Sequence, residues 1–377
     1  MRFTIDRERI LGISEDLMAV VPSRIVTTAT SGFLIDVDPE GTMRMSATDL
    51  TFVMVARSRV IETDGRLRVI VPAQRFVNAL RYMTGDTVEI ISQGWTRNIQ
   101  LNDGVSTIRL SVIVEDFPNV ETEDKTRVCS VSSSWLRTSI TQLEFAAEHN
   151  EKLSSALNSM LIDCNCADGH VTVVAGQGAM MCKRTCEVTE SYSDEASSFV
   201  IPRNAIRVLK TVLKGANACE ISGNISGTRL ILDTGMYYAA VPLKAVSYPN
   251  YSGMFSRKTD CTTTEEVGKN AILSALMRAS VVLPNQPNES APIQLSLHES
   301  SIDLSMTSLV GEFNESVAST KTGESIELLF DLKRLTSSID VMPENDITIS
   351  CSTRSSPVWI SSGDTEIIIM PQVRNAQ

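Results

Sequence analysis

Nowhere does this 377-residue sequence hold the roughly 20 consecutive apolar residues that a membrane-spanning helix requires, so no such helix is expected. Nor does it open on a basic stretch followed by an apolar core. MRFTIDRERI is charged and amphipathic, which predicts no secretory signal. The eight cysteines, at 129, 164, 166, 182, 186, 219, 261 and 351, lack the dense spacing of a disulfide scaffold in a chain large enough to do without one, and a reducing cytoplasm is the natural expectation. Cys164 and Cys166 with His170 offer zinc-type donors, but no second pair at metal-ligand spacing follows, so no metal is expected. Gly176-Gln177-Gly178 lacks the third glycine and the βαβ setting of a dinucleotide loop, so no cofactor is expected. His149 and His298, the other histidines, belong to no set of nucleophile, base and orienting acid, and the chain reads as a non-enzyme. Positive net charge is absent as well: it is −11, so any attraction to nucleic acid must come from where the basic residues sit.

What is present is the composition of a soluble globular protein, 42% hydrophobic and 21% charged, in a chain long enough for two or three domains. A faint internal repeat favours three. Val71-Pro72-Ala73-Gln74-Arg75-Phe76 returns 130 positions later as Ile201-Pro202-Arg203-Asn204-Ala205-Ile206, and Phe330-Asp331-Leu332-Lys333-Arg334-Leu335 follows after another 129. Asp116-Phe117-Pro118-Asn119 recurs in the same register as Ser247-Tyr248-Pro249-Asn250. The expected boundaries are 1–125, 126–255 and 256–377, with junctions at the polar stretches 121–126 and 252–259 where apolar periodicity lapses.

Each third opens with apolar residues at helical spacing, over 6–20, 133–147 and 264–279, and carries a second helix at the repeat marker. Alternating runs at 68–71, 170–174 and 347–351 read as half-buried strands. The fold class is therefore α+β, sheet-rich, with two helices on antiparallel sheets in each third.

Charge is segregated on the second helices. Arg203, Arg207, Lys210 and Lys214 follow an i, i+4, i+7, i+11 spacing that puts them on one face of a helix starting near Pro202, opposite Ile206, Leu209 and Leu213. The helix from Ala73 to Met83 carries Arg75 and Arg81 and no acid. Such faces attract phosphates without reading bases, although a basic stripe can equally be a solvated surface. Arg137, Lys269 and Lys333 are weaker candidates on the remaining helices. The helix holding Arg7 and Arg9 also holds Asp6, Glu8, Glu15 and Asp16 and is set aside.

Met1-Arg2-Phe3-Thr4-Ile5-Asp6-Arg7-Glu8, Ala47-Thr48-Asp49-Leu50, Val71-Pro72, Glu115-Asp116-Phe117-Pro118-Asn119, Leu157-Asn158-Ser159-Met160-Leu161 and Ile369-Met370-Pro371, in this order and spacing, resemble the bacterial sliding clamp family, the beta subunit of DNA polymerase III, over essentially the full length. The resemblance implies a head-to-tail homodimeric ring around double-stranded DNA, with helices lining the hole and sheets outside. It implies binding of DNA polymerase and clamp loader through short peptide motifs, and it places Arg24 in a DNA-contacting loop. It puts the ring interface at Ile108 and Leu110 on an edge strand and at Val281 and Val282 in the last third; as a plain reading these four are ordinary core residues. An apolar peptide pocket would involve Leu157, Gly176, Gly178, Met180, Met181, Pro249, Met254, Arg334, Pro357, Ile369, Met370 and Pro371.

Two departures bear on that pocket. Gly176-Gln177-Gly178-Ala179-Met180-Met181 stands where the family commonly has Thr-Asp-Gly-His-Arg-Leu, removing a histidine and an arginine, and the tail runs past Pro371 to Gln377. A flexible methionine pair suits a tolerant pocket, or simply fills a core. The alternative reading is a divergent clamp-fold scaffold whose polymerase-peptide binding is altered or lost.

Overall fold

The computed structural model describes all of the chain except residues 23, 25–26, 93–96, 120–123, 148–155, 285–291 and 374–377. His149, the first part of the junction at 121–126 and the last four residues of the tail therefore lie outside the described residues. The described residues contain seven α-helices: α1 (Arg7–Leu17), α2 (Ala73–Tyr82), α3 (Ser133–Leu143), α4 (Ile206–Val212), α5 (Tyr251–Phe255), α6 (Lys269–Ala279) and α7 (Leu332–Asp340). One element order occurs three times, a strand leading into a helix, then strands, then a second strand running into a helix and three closing strands. The leading strands are Arg2–Asp6, Lys125–Ser132 and Thr263–Gly268, and the second set are Leu67–Pro72, Ser197–Pro202 and Glu327–Asp331.

Local chemistry explains where the helices begin. Asp6 caps α1, its carboxylate accepting from the Arg9 N–H at 2.7 Å, and Asp331 caps α7 by accepting from the Arg334 N–H at 2.9 Å. Each cap satisfies one of the amide donors left free at a helix start, worth about 1 kcal/mol. α1 buries Ile10, Ile13 and Leu17, and α2 buries Phe76, Val77 and Leu80, so the two pack together through apolar stripes at helical spacing. α6 and α7 do the same with Ile272, Leu276, Leu335 and Ile339.

Two sequence expectations need correction. Thr264–Gly268 is strand rather than helix, because Thr263, Glu265 and Val267 are buried in alternation and the backbone pairs on both sides, with 346–351 and with 319–322. The helix starts only at Lys269. The polar stretch 252–259 is ordered as α5 followed by a 3-10 turn, Ser256–Asp260, since the Asn250 side chain accepts from the Gly253 N–H at 3.0 Å and starts a helix there. Likewise Lys125 and Thr126, read as junction, already pair with Asn224 and Gly223.

The chain divides into two compact units, residues 1–138 with 166–169 and 188–245, and residues 139–165 with 170–187 and 246–377. In the first, one sheet runs continuously from the middle third into the first because Tyr237–Ala240 pairs antiparallel with Val53–Ala56. A second sheet of five strands ends on Thr107–Ser111. In the second unit Met180–Arg184 pairs with Thr365–Ile369, joining strands of the middle and last thirds. The pairing passes on through 358–362 and 346–351 to 263–268. No helix among the described residues is long and apolar enough to cross a membrane.

Candidate nucleic-acid interface and partner pocket

In the first unit α2 presents Gln74, Arg75, Asn78, Arg81 and Tyr82 to solvent while its other side is buried. Arg75 is exposed, and Arg81 Nη2 donates to Glu15 Oε1 of α1 at 2.6 Å. Lys214 Nζ stands 3.2 Å from Asp16 Oδ1, whose other oxygen accepts from the Tyr237 hydroxyl at 2.7 Å. The acids of α1 thus offset part of the charge that the sequence assigned to the neighbouring basic faces.

The stripe at 203–214 is also broken. Arg203 lies in a 3-10 turn, Arg203–Ala205, α4 spans only seven residues, and Lys214 follows its end. Pro202 cannot donate into a preceding turn, and Gly215 at φ +71° stops the helix in a left-handed conformation that favours glycine. A 3-10 turn has three residues per turn, so Arg203 falls out of phase with the α-helical positions. Arg207 and Lys214 are exposed, whereas Arg203 and Lys210 are half-buried. Arg137, exposed on α3, donates through Nε to the Lys210 carbonyl at 3.1 Å. Arg24 and Lys333 are exposed, but Lys269 spends its ammonium on the Met342 carbonyl at 2.6 Å.

All twelve residues assigned to the peptide pocket fall in the second unit. Met180 pairs with Ile369 and Met181 with Gly176 across adjacent strands, and the Met370 N–H donates to the Ala179 carbonyl at 2.9 Å. Val358, directly after Pro357, pairs with Ile369 from the other side. The Ser338 hydroxyl of α7 lies 3.4 Å from the Met180 sulfur and donates to the Arg334 carbonyl at 2.9 Å, which brings α7 against Met180. A Cβ at Gly176 would sit 3.1 Å from the Met180 carbonyl oxygen and 3.5 Å from both Leu157 and Met181, so only glycine leaves that corner open. Met180 and Met181 are 4% and 5% exposed and act as core, while Met254 and Met370, at 42% and 38%, are the thioethers that face solvent. Pro249 is half-buried ahead of α5, Gly178 is exposed in the turn, and Pro371 is buried.

The four candidate interface residues are not core. Ile108 and Leu110 are half-buried on Thr107–Ser111, the terminal strand of its sheet. Val281 is 80% exposed in the 3-10 turn Ser280–Val282, and the Val282 carbonyl accepts from the Ser308 hydroxyl at 2.7 Å. Sequence reasoning missed Tyr82, Val105, Leu309 and Val310, which are exposed apolar residues near these positions, because an apolar letter carries no sign of exposure.

Family models for the N-terminal and C-terminal domains of the DNA polymerase III beta subunit match residues 1–121 and 259–372, more than half of the chain. The chain belongs to the DNA polymerase III beta subunit family. A beta sliding clamp of Pseudomonas putida is 21% identical over 375 residues, covering 98% of this chain and 99% of that protein. Among solved structures, a sliding clamp from Pseudomonas aeruginosa bound to griselimycin superposes with a TM-score of 0.88 at 21% identity over 99% of both chains. A Helicobacter pylori beta clamp bound to a DNA ligase peptide superposes at 0.84 with 15% identity, covering 99% of this chain and all of that one. The fold is that of the sliding clamps from end to end, and this member of the family is a divergent one.

Proposed function

We infer that the chain is a DNA sliding clamp, a processivity factor of the cytoplasm that encircles duplex DNA and tethers a DNA polymerase without catalysing a reaction itself. The observation that carries this reading is the agreement with beta sliding clamps over 98% of the chain, including all three repeats of the element order. The three repeats are the clamp domains, 1–125, 126–255 and 256–377. Two chains head to tail give a six-domain ring, with Ile108 and Leu110 of one meeting Val281 and Val282 of the other. Arg24, Arg75, Arg137, Arg207 and Lys210 supply most of the phosphate attraction, with Arg203 and the ion-paired Arg81 and Lys214 in support. Such contacts hold the backbone without reading sequence, as sliding requires.

Short peptide motifs of the polymerase and the clamp loader occupy the groove around Leu157, Gly176, Met254, Arg334 and Met370. With the histidine and arginine of the family pattern replaced by Ala179 and Met180, recognition there rests on apolar contact and on backbone groups at the turn 178–179. A loaded clamp is held topologically, so it stays on a circular plasmid in high salt and runs off once the plasmid is cut. Equal retention on circular and linear DNA would contradict encirclement.

A further inference from the structure

The four acids that balance the basic residues of α1 in the sequence are each committed elsewhere in the fold. Asp6 caps the helix, Glu8 stands 3.5 Å from Arg7, Glu15 pairs with Arg81, and Asp16 takes Lys214 and the Tyr237 hydroxyl. Arg7 turns back to the Gly85 and Leu80 carbonyls. Arg9 is left over. Its Nε donates to the Ser58 hydroxyl oxygen at 2.6 Å, and the rest of its guanidinium has no partner among the described residues.

Arg9 thereby joins Arg57 and Arg59 at a recess of about 620 Å³ in the first unit, a size that suits a small ligand or a few side chains. Arg57 is held by Asp233, but Arg59 is exposed and has no acidic partner among the described residues. The one acid lining the recess is the cap Asp6. Ile61 and Met236 also line it, 64% and 37% exposed. A strand edge opens at the same place. Val53–Ala56 pairs with Tyr237–Ala240, and that pairing stops where the Arg57 N–H donates to the Met236 carbonyl at 2.8 Å. Peptide groups alternate in direction along a strand, so the Arg59 N–H and carbonyl face that same side, on which no strand pairs with them among the described residues.

We propose that this recess docks a short acidic segment of a partner protein, which adds its backbone to the Arg59 edge, sets a carboxylate against Arg9 and Arg59 and lays an apolar side chain on Met236 and Ile61. Each element of the recess answers one part of such a segment. An open strand edge gives main-chain hydrogen bonds, and pockets for alternate side chains give the specificity. Guanidinium forks match a carboxylate in bidentate fashion. A phosphate would satisfy the arginines as well, but it would leave Ile61 and Met236 in water, whereas an acidic segment with apolar neighbours covers both. The recess shares no residue with the DNA-binding candidates or with the peptide groove of the second unit, so its occupancy can be tested apart from both. The proposal does not rest on ring closure.

The test is fluorescence anisotropy of the full chain with a labelled short peptide of alternating Glu and Val, and with a Glu-Ser peptide as its polar counterpart, circular dichroism checking that each variant folds. Wild type should hold the Glu-Val peptide at least about ten-fold more tightly than the Glu-Ser peptide. Arg59→Glu should weaken the Glu-Val peptide at least about ten-fold, because an attraction becomes a repulsion. Arg9→Ala should weaken it about three-fold or more, and it carries the test if Arg59→Glu does not fold. Arg354→Glu, the same charge change on an exposed turn of the last third, and Met254→Asp, in the second-unit groove, should each alter it less than about two-fold. A wild type that binds neither peptide would overturn the site, as would a loss on Arg354→Glu equal to that on Arg59→Glu, which is an effect of net charge alone. A loss on Met254→Asp would put the peptide in the groove and overturn it too. Inorganic tripolyphosphate binding more tightly than the peptide, and only with Arg59 present, would make the recess a phosphate site and overturn the peptide reading.

Discussion

At the scale of single residues, Glu265 is a poorly accommodated side chain among the described residues. It is fully buried on strand Thr263–Gly268, and neither carboxylate oxygen has a hydrogen-bond partner among the described residues. Burial raises its pKa, with Ser319, Lys321 and His298 pulling the other way. A carboxyl whose pKa is raised on folding binds its proton more tightly in the native state. It therefore costs nothing extra below the unfolded value near 4.5 and becomes destabilising as pH rises through the folded value. Glu265→Gln should raise stability by about 1–3 kcal/mol at pH 7 to 8 and by little at pH 4, as read from urea unfolding at the two pH values. This residue was invisible in the sequence, where 264–279 read as one helix rather than a strand buried on alternate residues. The methionine pair was better marked: Met180 and Met181 fill the core beside Gly176, one of the two readings their chemistry allowed.

At the scale of elements, periodicity located α1, α2 and α3 to within a few residues, because each buries a clear apolar stripe under a solvated face, while the repeat marker at 330–335 located the start of α7. It misjudged α4, where the spacing of four basic residues suggested one long helix but Pro202 and Gly215 confine the α-helical turns to Ile206–Val212. It also could not foresee that Glu15 and Asp16 would reach across to Arg81 and Lys214, since those pairs are 66 and 198 positions apart. The consequence is a ranking. Charge reversal at Arg75 or Arg207, both exposed, should weaken duplex binding and reduce the slope of affinity against salt by about 1 each, measured by fluorescence anisotropy. Reversal at Lys214 should do less, because Asp16 already compensates it. In the second unit, Met254→Asp should reduce affinity for a clamp-binding peptide about ten-fold by calorimetry, since an exposed anchor is lost without disturbing the core. Unchanged affinity would place the peptide elsewhere.

At the scale of the whole molecule, the repeat was legible from two faint markers because each records a recurring backbone event, a strand end turning into a helix and a proline ahead of the next domain. The same element order then appears three times in the structure. The proposed head-to-tail closure rests on resemblance, for an edge strand and an exposed turn differ from buried ones in their surroundings, not in their letters. The claim on which everything else depends is that two chains close a ring. Light scattering combined with small-angle X-ray scattering at micromolar concentration tests it directly. The account predicts twice the 41.2 kDa mass of the chain and a particle with a hollow centre wide enough for duplex DNA. A compact particle with the mass of one chain would contradict it.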